Sequence, residues 1–129
     1  GRGYYTEEDL AAIHDKMSRA LSAVGGHLDG VYYCPHHPAD HCRCRKPQPG
    51  MLLDIAADFS KEDGAVIFVG DSVRDIEAAI AAKVQPVLVR TGNGRACYKE
   101  AQSLGAVVFD DLQAVVSALL ASGQEVFLT

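Results

Sequence analysis

One segment of the chain concentrates residues that seldom occur together. Residues 34–49 contain four prolines, three histidines and three of the four cysteines, which is typical of a loop and not of a helix or strand. Cys34, His36, Cys42 and Cys44 follow the spacing C-x-H-x5-C-x-C and supply the three thiolates and one imidazole of a complete tetrahedral zinc set. Because such a shell leaves no open position for water, we predict a structural zinc that folds this loop.

Other interpretations of this zinc loop, residues 34–44, stay open at this point. His37 and His41 are rival imidazole ligands to His36. Reduced cysteines can also cluster without binding any metal. A zinc knuckle for RNA is disfavoured, because the formal net charge of −5 and the scarcity of nearby aromatic residues do not suit nucleic-acid binding.

The rest of the chain alternates between helical periodicity and short apolar runs. Residues 65–69 form a continuous apolar run, typical of a parallel strand that is buried on both faces. This alternation predicts an α/β fold with a mainly parallel sheet, and 129 residues suit one domain over residues 1–129. The predicted helices are residues 6–24, 51–59, 73–83, 98–104 and 112–121, and the predicted strands are residues 30–33, 65–69, 86–90 and 106–109.

Three loops follow predicted strands, and their first residues are Cys34, Asp71 and Thr91. Open parallel sheets bind their ligands beyond the carboxyl ends of the strands. We therefore expect the chemistry of the chain at these three loops.

Charged residues near two of these loops suit a phosphate and a hard cation. Arg45 and Lys46 directly follow the zinc loop and can bind an anion, although they can equally be a solvated basic pair. Asp71 and Asp75 can hold Mg²⁺ directly or through water. The alternative is that Asp71 or Ser72 merely caps the helix that begins at Val73.

These motifs together resemble the haloacid dehalogenase superfamily. The order Lys-Pro, then an apolar strand ending in Gly-Asp-x-x-x-Asp, is similar to its third and fourth sequence motifs. More narrowly, Tyr-Tyr-Cys-Pro-His-His-Pro, Cys-Arg-Cys-Arg-Lys-Pro and Val-Leu-Val-Arg-Thr-Gly-Asn-Gly resemble the D-glycero-D-manno-heptose 1,7-bisphosphate phosphatases and the related histidinol-phosphate phosphatases. The resemblance implies a Rossmann-like parallel sheet of the haloacid dehalogenase type.

The resemblance also implies roles for individual residues. Lys46 would steady the transferred phosphoryl group, Arg45 would contact substrate phosphate, and Asp71 would bind a catalytic Mg²⁺. Asp75 would support the metal shell. Position 72 is often Lys in such relatives and is Ser here, so a contact made by that side chain would be lost. The zinc would be held by the same set as predicted above, Cys34, His36, Cys42 and Cys44.

Two motifs of the superfamily have no counterpart in this sequence. Members carry an N-terminal strand ending in Asp-x-Asp, whose first carboxylate attacks phosphorus, and a second strand ending in Thr or Ser. No Asp-x-Asp occurs in these 129 residues, and residues 1–3 resemble the stretch after the second motif. We therefore expect those two strands and the nucleophile to lie outside this sequence, and the chain to be inactive on its own.

The function that the resemblance implies is hydrolysis of the 7-phosphate of a heptose 1,7-bisphosphate in nucleotide-activated heptose biosynthesis. Histidinol-phosphate phosphatase and an inactive zinc-binding fragment are the alternatives. We expect a sugar phosphate as the partner, and neither nucleic acid nor membrane. The sequence shows no secretory signal pattern and no apolar run of the roughly 20 residues that a spanning helix needs. A cytoplasmic enzyme, monomeric when full length, is the resulting expectation.

Overall fold

The computed structural model describes residues 6–59 and 66–122, and from Gly50 to Ser122 strands alternate with helices as the sequence predicts. A short 3₁₀ turn, Pro38–Asp40, lies inside the zinc loop. The elements in chain order are α1 (Glu7–Ser22), α2 (Gly50–Asp58), β1 (Ile67–Gly70), α3 (Val73–Ala81), β2 (Gln85–Val89), α4 (Gly94–Ser103), β3 (Val107–Phe109) and α5 (Leu112–Ser122).

The three strands form one parallel sheet in the order β1-β2-β3. Val69 pairs with Val87, and Val87 pairs in turn with Val107. Parallel neighbours need crossover connections, and here α3 and α4 supply them. The predicted α/β class with a parallel sheet is confirmed, and the carboxyl ends of all three strands meet at one edge.

Side chains of β2 alternate between two apolar clusters on opposite faces of the sheet, as the pleat of a strand requires. Leu88 packs with Ile76 of α3 and Ala101 of α4, and all three are fully buried. Val87 packs instead with Val115 of α5. Helices therefore cover both faces of the central strand, which explains why its sequence is apolar from Pro86 to Val89.

The helix that follows the zinc loop packs against α3. Leu52 of α2 belongs to one buried cluster with Ala78 and Ala79 of α3. The same cluster includes Ala82 and Val84, which follow α3 in the chain. This contact places the zinc loop on the same side of the molecule as the β1–α3 connection.

The strand predicted for residues 30–33 is wrong. This segment is irregular, and no strand in the described ranges pairs with it. Its contacts run to the C-terminal end of α2 instead: the Tyr32 hydroxyl donates a hydrogen bond to Asp58 at 2.6 Å, and the ring of Phe59 lies beside Gly30. An apolar run becomes a strand only where a neighbouring strand completes its hydrogen bonds.

Helix α4 begins four residues before its predicted start. The two glycines at 92 and 94 indicated a longer loop, since glycine disfavours helix interiors. The structure uses Gly94 as the first helical residue, and its amide donates to the carbonyl of Thr91 in a tight turn at 3.1 Å. Residues 1–3, the beginning of the predicted strand 65–69 and the tail after Ser122 lie outside the described residues.

No helix within residues 6–59 and 66–122 is both long enough and apolar enough to cross a membrane.

Truncation of the central side chain of α3 should destabilise the fold strongly. Ile76 is 0% exposed, so Ile76→Ala should lower the free energy of unfolding by about 2–5 kcal/mol through lost burial and the cavity left behind. Urea denaturation followed by circular dichroism measures this loss. Ile80→Ala on the same helix is the matched control, because Ile80 is 44% exposed and should lose much less stability. Equal losses in the two variants would contradict the packing of α3 described here.

Candidate metal and phosphate site

The zinc loop brings its four predicted ligands together. The ligand atoms of Cys34, His36, Cys42 and Cys44 all lie within 4.8 Å of one another. The Sγ atom of Cys34 lies 3.5 Å from that of Cys42 and 3.2 Å from that of Cys44. The Nδ1 atom of His36 lies 3.2 Å from the Sγ atom of Cys44.

These separations fit a tetrahedral zinc ion. Sulfur atoms held about 2.3 Å from such an ion lie about 3.8 Å apart, so the observed cluster needs only a slight expansion. His36 is the imidazole of the cluster, whereas the Nδ1 atom of His37 accepts the amide of Ala39 at 3.1 Å and caps the 3₁₀ turn. His41 ends that turn in a left-handed conformation and is not part of the cluster. The predicted preference for His36 therefore has a geometric basis.

The thiols of the cluster already influence one another's ionisation. Burial raises the pKa of the Cys42 thiol, but hydrogen bonds from Cys34 and Cys44 outweigh it and lower that pKa to about 7. Burial, hydrogen bonds with Cys34 and Cys42 and the charges of those two thiols raise the pKa of Cys44 to about 12. One thiolate is thus stabilised at the expense of the next, and a bound divalent cation would favour the thiolate form of all three.

The C-terminal end of the zinc loop is bonded to α2. The guanidinium of Arg43 pairs with Asp54 of α2 at 2.6 Å. The amide of Gly50 donates to the carbonyl of Arg43 at 2.9 Å, and a side chain at position 50 would come within 2.3 Å of that oxygen. Arg45 and Lys46 lie between these contacts, in a segment that is held against α2.

Arg45 and Lys46 line a cavity of about 990 Å³ that also includes Cys34, Asp71 and Asp75. Nη1 of Arg45 donates to the carbonyl oxygen of His36 at 3.4 Å. Nζ of Lys46 donates to Oδ1 of Asp75. Two of the predicted zinc ligands, Cys34 and Cys44, thereby share one space with the predicted phosphate and magnesium residues, and the basic pair does not merely point into solvent.

Asp75 is the buried centre of this arrangement. Its side chain is 4% exposed, whereas the Lys46 side chain is 47% exposed. Oδ2 of Asp75 accepts hydrogen bonds from the amides of Asp71 and Ser72, at 3.0 and 3.1 Å, and from the Ser72 hydroxyl at 3.0 Å. Both oxygens of Asp75 are therefore engaged within the protein.

The same contacts show which of the two candidates, Asp71 or Ser72, caps α3. Ser72, not Asp71, is the N-cap of α3, and Ser72 and Asp75 form a capping box in which each side chain accepts from the other's backbone amide. Gly70 allows this turn, because a side chain there would come within 2.3 Å of Asp75. Asp71 is consequently available for other partners.

Asp71 finds its partner in the loop after β2. Its Oδ2 accepts the backbone amide of Asn93 at 3.0 Å and the side-chain amide of Asn93 at 3.4 Å. Asn93 lines the cavity, whereas Thr91, the first residue of this loop, is not among the lining residues. Asn93 was missed from the sequence, although the two flanking glycines signal a close backbone approach.

Comparison with known proteins identifies the family. The sequence model of the HAD-hydrolase-like family matches residues 43–115, which include Arg45, Lys46, Asp71 and Asp75. The chain belongs to this family. The resemblance to the haloacid dehalogenase superfamily drawn from the sequence is confirmed.

Several relatives of the HAD-hydrolase-like chain carry one and the same name, D-glycero-beta-D-manno-heptose-1,7-bisphosphate 7-phosphatase. The relative from Pseudomonas aeruginosa is 45% identical over 119 residues, and the one from Bordetella bronchiseptica is 48% identical over 120 residues. Each alignment covers 92% of this chain and 67% of the relative.

A solved structure is similar as well. It is the D,D-heptose 1,7-bisphosphate phosphatase of B. bronchiseptica in complex with magnesium and phosphate, with a TM-score of 0.75 and 47% sequence identity. The match covers 86% of this chain and 63% of the solved one. The HAD-hydrolase-like chain therefore spans about two-thirds of the length of these relatives.

The zinc loop should bind one equivalent of zinc per chain. Replacing two thiolates in the Cys42→Ala, Cys44→Ala double variant should abolish zinc retention, because half of the donor set is removed. Plasma mass spectrometry of the purified protein measures the zinc content. Cys97→Ala and His37→Ala are the controls and should keep the zinc, since neither residue belongs to the cluster. Zinc retained by the double variant, or lost from His37→Ala, would contradict this ligand set.

Proposed function

We propose that this chain carries the phosphate-binding and magnesium-binding part of a sugar-phosphate phosphatase of the HAD-hydrolase-like family. The observation that carries the proposal is the meeting of Lys46, Asp71 and Asp75 at the carboxyl edge of the parallel sheet, around one cavity. A cation beside a pair of carboxylates suits a phosphate that is bound together with a metal ion.

Arg45 and Lys46 would neutralise the substrate. Phosphoryl transfer depends mainly on positioning and on offsetting the charge that spreads over the phosphoryl oxygens. Lys46 contributes a compact ammonium whose position is set by Asp75, and Arg45 contributes a planar guanidinium that can bond two oxygens. We assign Lys46 to the transferred phosphoryl group and Arg45 to substrate phosphate.

Asp71 would be the magnesium ligand of this chain. Its Oδ2 is held by Asn93, and Oδ1 accepts no hydrogen bond from the described part of the chain. When bound, Mg²⁺ would offset negative charge on the phosphate oxygens. Asp75 would support the metal site at one remove, since its own oxygens are occupied by Lys46, by two backbone amides and by Ser72.

The zinc would be structural. Its four ligands leave no open position, and Arg45 directly follows the last of them, Cys44. A metal-stiffened loop would hold Arg45 and Lys46 against the cavity with little loss of side-chain freedom on binding. Zinc removal should therefore weaken phosphate binding without removing the catalytic metal.

The substrate we propose is a heptose 1,7-bisphosphate, hydrolysed at the 7-phosphate. The support is the name shared by the relatives, together with the magnesium and phosphate that the B. bronchiseptica enzyme binds. By the family resemblance, the attacking carboxylate belongs to an Asp-x-Asp motif that these 129 residues do not contain. A cytoplasmic location and a monomeric full-length state stay predictions.

The decisive variant is Asp71→Asn, which keeps the shape of the side chain and removes its charge. It should lower kcat roughly 10²-fold or more while leaving the zinc content unchanged, because charge stabilisation of the phosphoryl group is lost. The assay measures phosphate release in a chimera that places the unmatched segment of the B. bronchiseptica relative before this chain. Asp110→Asn is the matched control: Asp110 also follows a strand at this edge, but it pairs with Arg90 outside the cavity and should be neutral.

The same assay discriminates between the possible functions. The chimera and the 129-residue chain are each assayed with heptose 1,7-bisphosphate and with histidinol phosphate. Each assay is repeated without Mg²⁺. The proposal expects turnover of the heptose bisphosphate by the chimera only. A preference for histidinol phosphate would replace the substrate, and near-normal turnover by Asp71→Asn would remove the metal role of Asp71. Absence of any turnover in a folded, zinc-loaded chimera would favour an inactive zinc-binding protein.

A further inference from the structure

The loop between β2 and α4 approaches the end of β1 more closely than most side chains would allow. Gly92 has a φ of +59°, and a side chain there would come within 2.2 Å of Oδ2 of Asp71. A side chain at Gly94 would come within 1.7 Å of the carbonyl oxygen of Val89. Both positions therefore require glycine for steric reasons, and Gly92 requires it for its backbone conformation as well.

The side chain of Asn93, between these glycines, does not cap the helix that follows it. It is the N-cap of α4, where an asparagine side chain commonly accepts a hydrogen bond from the first turn. Here it makes no capping hydrogen bond. Its amide group is directed instead at Oδ2 of Asp71, at 3.4 Å, beside the backbone amide of the same residue at 3.0 Å.

The first turn of α4 also contacts the backbone of the same aspartate. The thiol of Cys97 donates to the carbonyl oxygen of Asp71 at 3.6 Å. Asn93 and Cys97 are four residues apart and therefore lie on one face of the helix. The first turn of α4 thus contacts both the side chain and the main chain of Asp71.

We propose that the segment Gly92-Asn93-Gly94 is a positioning element that fixes the Asp71 carboxylate for a divalent cation. Two donors occupy Oδ2 and fix the rotation of the carboxylate, so that Oδ1 is presented in one orientation. Asn93 is then a positioning residue that acts through Asp71. The proposal rests on the assignment of Asp71 as a metal ligand made above, and it assigns a role to Asn93 and its two flanking glycines that the sequence left without one.

The effect of such preorganisation on metal affinity has a typical magnitude. Partners that orient a metal ligand typically contribute 10- to 100-fold to metal affinity. Gly92→Ala inserts a methyl group where Oδ2 of Asp71 lies, so the carboxylate must rotate away or the loop must withdraw. Asn93→Ala removes the side-chain donor and keeps the backbone amide, so its effect should be smaller.

The test measures binding of Mn²⁺, a paramagnetic stand-in for Mg²⁺, to the zinc-loaded 129-residue chain in the presence of inorganic phosphate. Electron paramagnetic resonance reports the free ion directly and needs no turnover. Gly92→Ala should weaken Mn²⁺ binding about 10- to 100-fold. Gly105→Ala is the matched control, because Gly105 has a φ of +102° after the other end of α4 and nothing lies within 4 Å of an added side chain. It carries the same kind of backbone strain and should bind Mn²⁺ as the unchanged chain does.

A second readout follows the contact itself. The Asn93 backbone amide proton should resonate downfield in the unchanged chain and in Gly105→Ala, because it is bonded to a carboxylate. It should shift upfield in Asp71→Ala and in Gly92→Ala. Zinc content and circular dichroism establish that each variant is folded. If Gly92→Ala does not fold, Asn93→Ala decides: unchanged Mn²⁺ affinity in that variant overturns the proposal.

The outcomes separate this inference from the proposed function. If Asp71→Ala leaves Mn²⁺ binding unchanged, Asp71 is not a metal ligand and both ideas fail. If Asp71→Ala weakens binding while Gly92→Ala behaves as Gly105→Ala does, the metal role of Asp71 stands and the positioning role of the loop is wrong.

Discussion

The ion pair between Lys46 and Asp75 joins the two halves of the candidate site. Lys46 belongs to the segment that follows the zinc loop, and Asp75 belongs to the first turn of α3. Because Asp75 is almost fully buried, leaving its charge without a partner would be costly. Lys46 supplies the opposite charge, and two amides and a hydroxyl supply the remaining hydrogen bonds. The position of Lys46 is thereby coupled to the geometry of the β1–α3 turn.

Because of this coupling, the position of Lys46 also depends on the zinc loop that precedes it. The candidate zinc ligands end at Cys44, so Lys46 is only two residues from a point that the proposed zinc would fix. The Arg43–Asp54 pair and the amide of Gly50 fix the loop against α2, whose Leu52 packs on α3. A cation placed between two such anchors loses little conformational freedom when a phosphate binds, whereas a free lysine would lose more.

Much of this arrangement can be predicted from sequence because local chemistry dictates it. The spacing of Cys34, His36, Cys42 and Cys44 predicts the cluster of four candidate metal ligands, and the apolar run before Asp71 predicts the edge of the sheet. The strand predicted for residues 30–33 is wrong, since a strand needs a partner and residue patterns describe only the strand itself. Asn93 was missed for a related reason: its contact with Asp71 spans 22 residues and depends on how β1 and β2 align.

The motif Gly-Asp-x-x-x-Asp presents two carboxylates of the same chemical type, and their surroundings separate their tasks. Asp75 lies under the turn, where both of its oxygens are saturated by donors within the protein, so it stabilises the turn and orients Lys46. Asp71 lies at the cavity, where Asn93 engages one oxygen and the glycines beside it permit that close approach. The turn that buries Asp75 also presents Asp71 to the cavity, because the amide of Asp71 is itself one of the donors that hold Asp75. The same few hydrogen bonds therefore support both the proposed metal ligand, Asp71, and the lysine proposed to bind phosphate, Lys46.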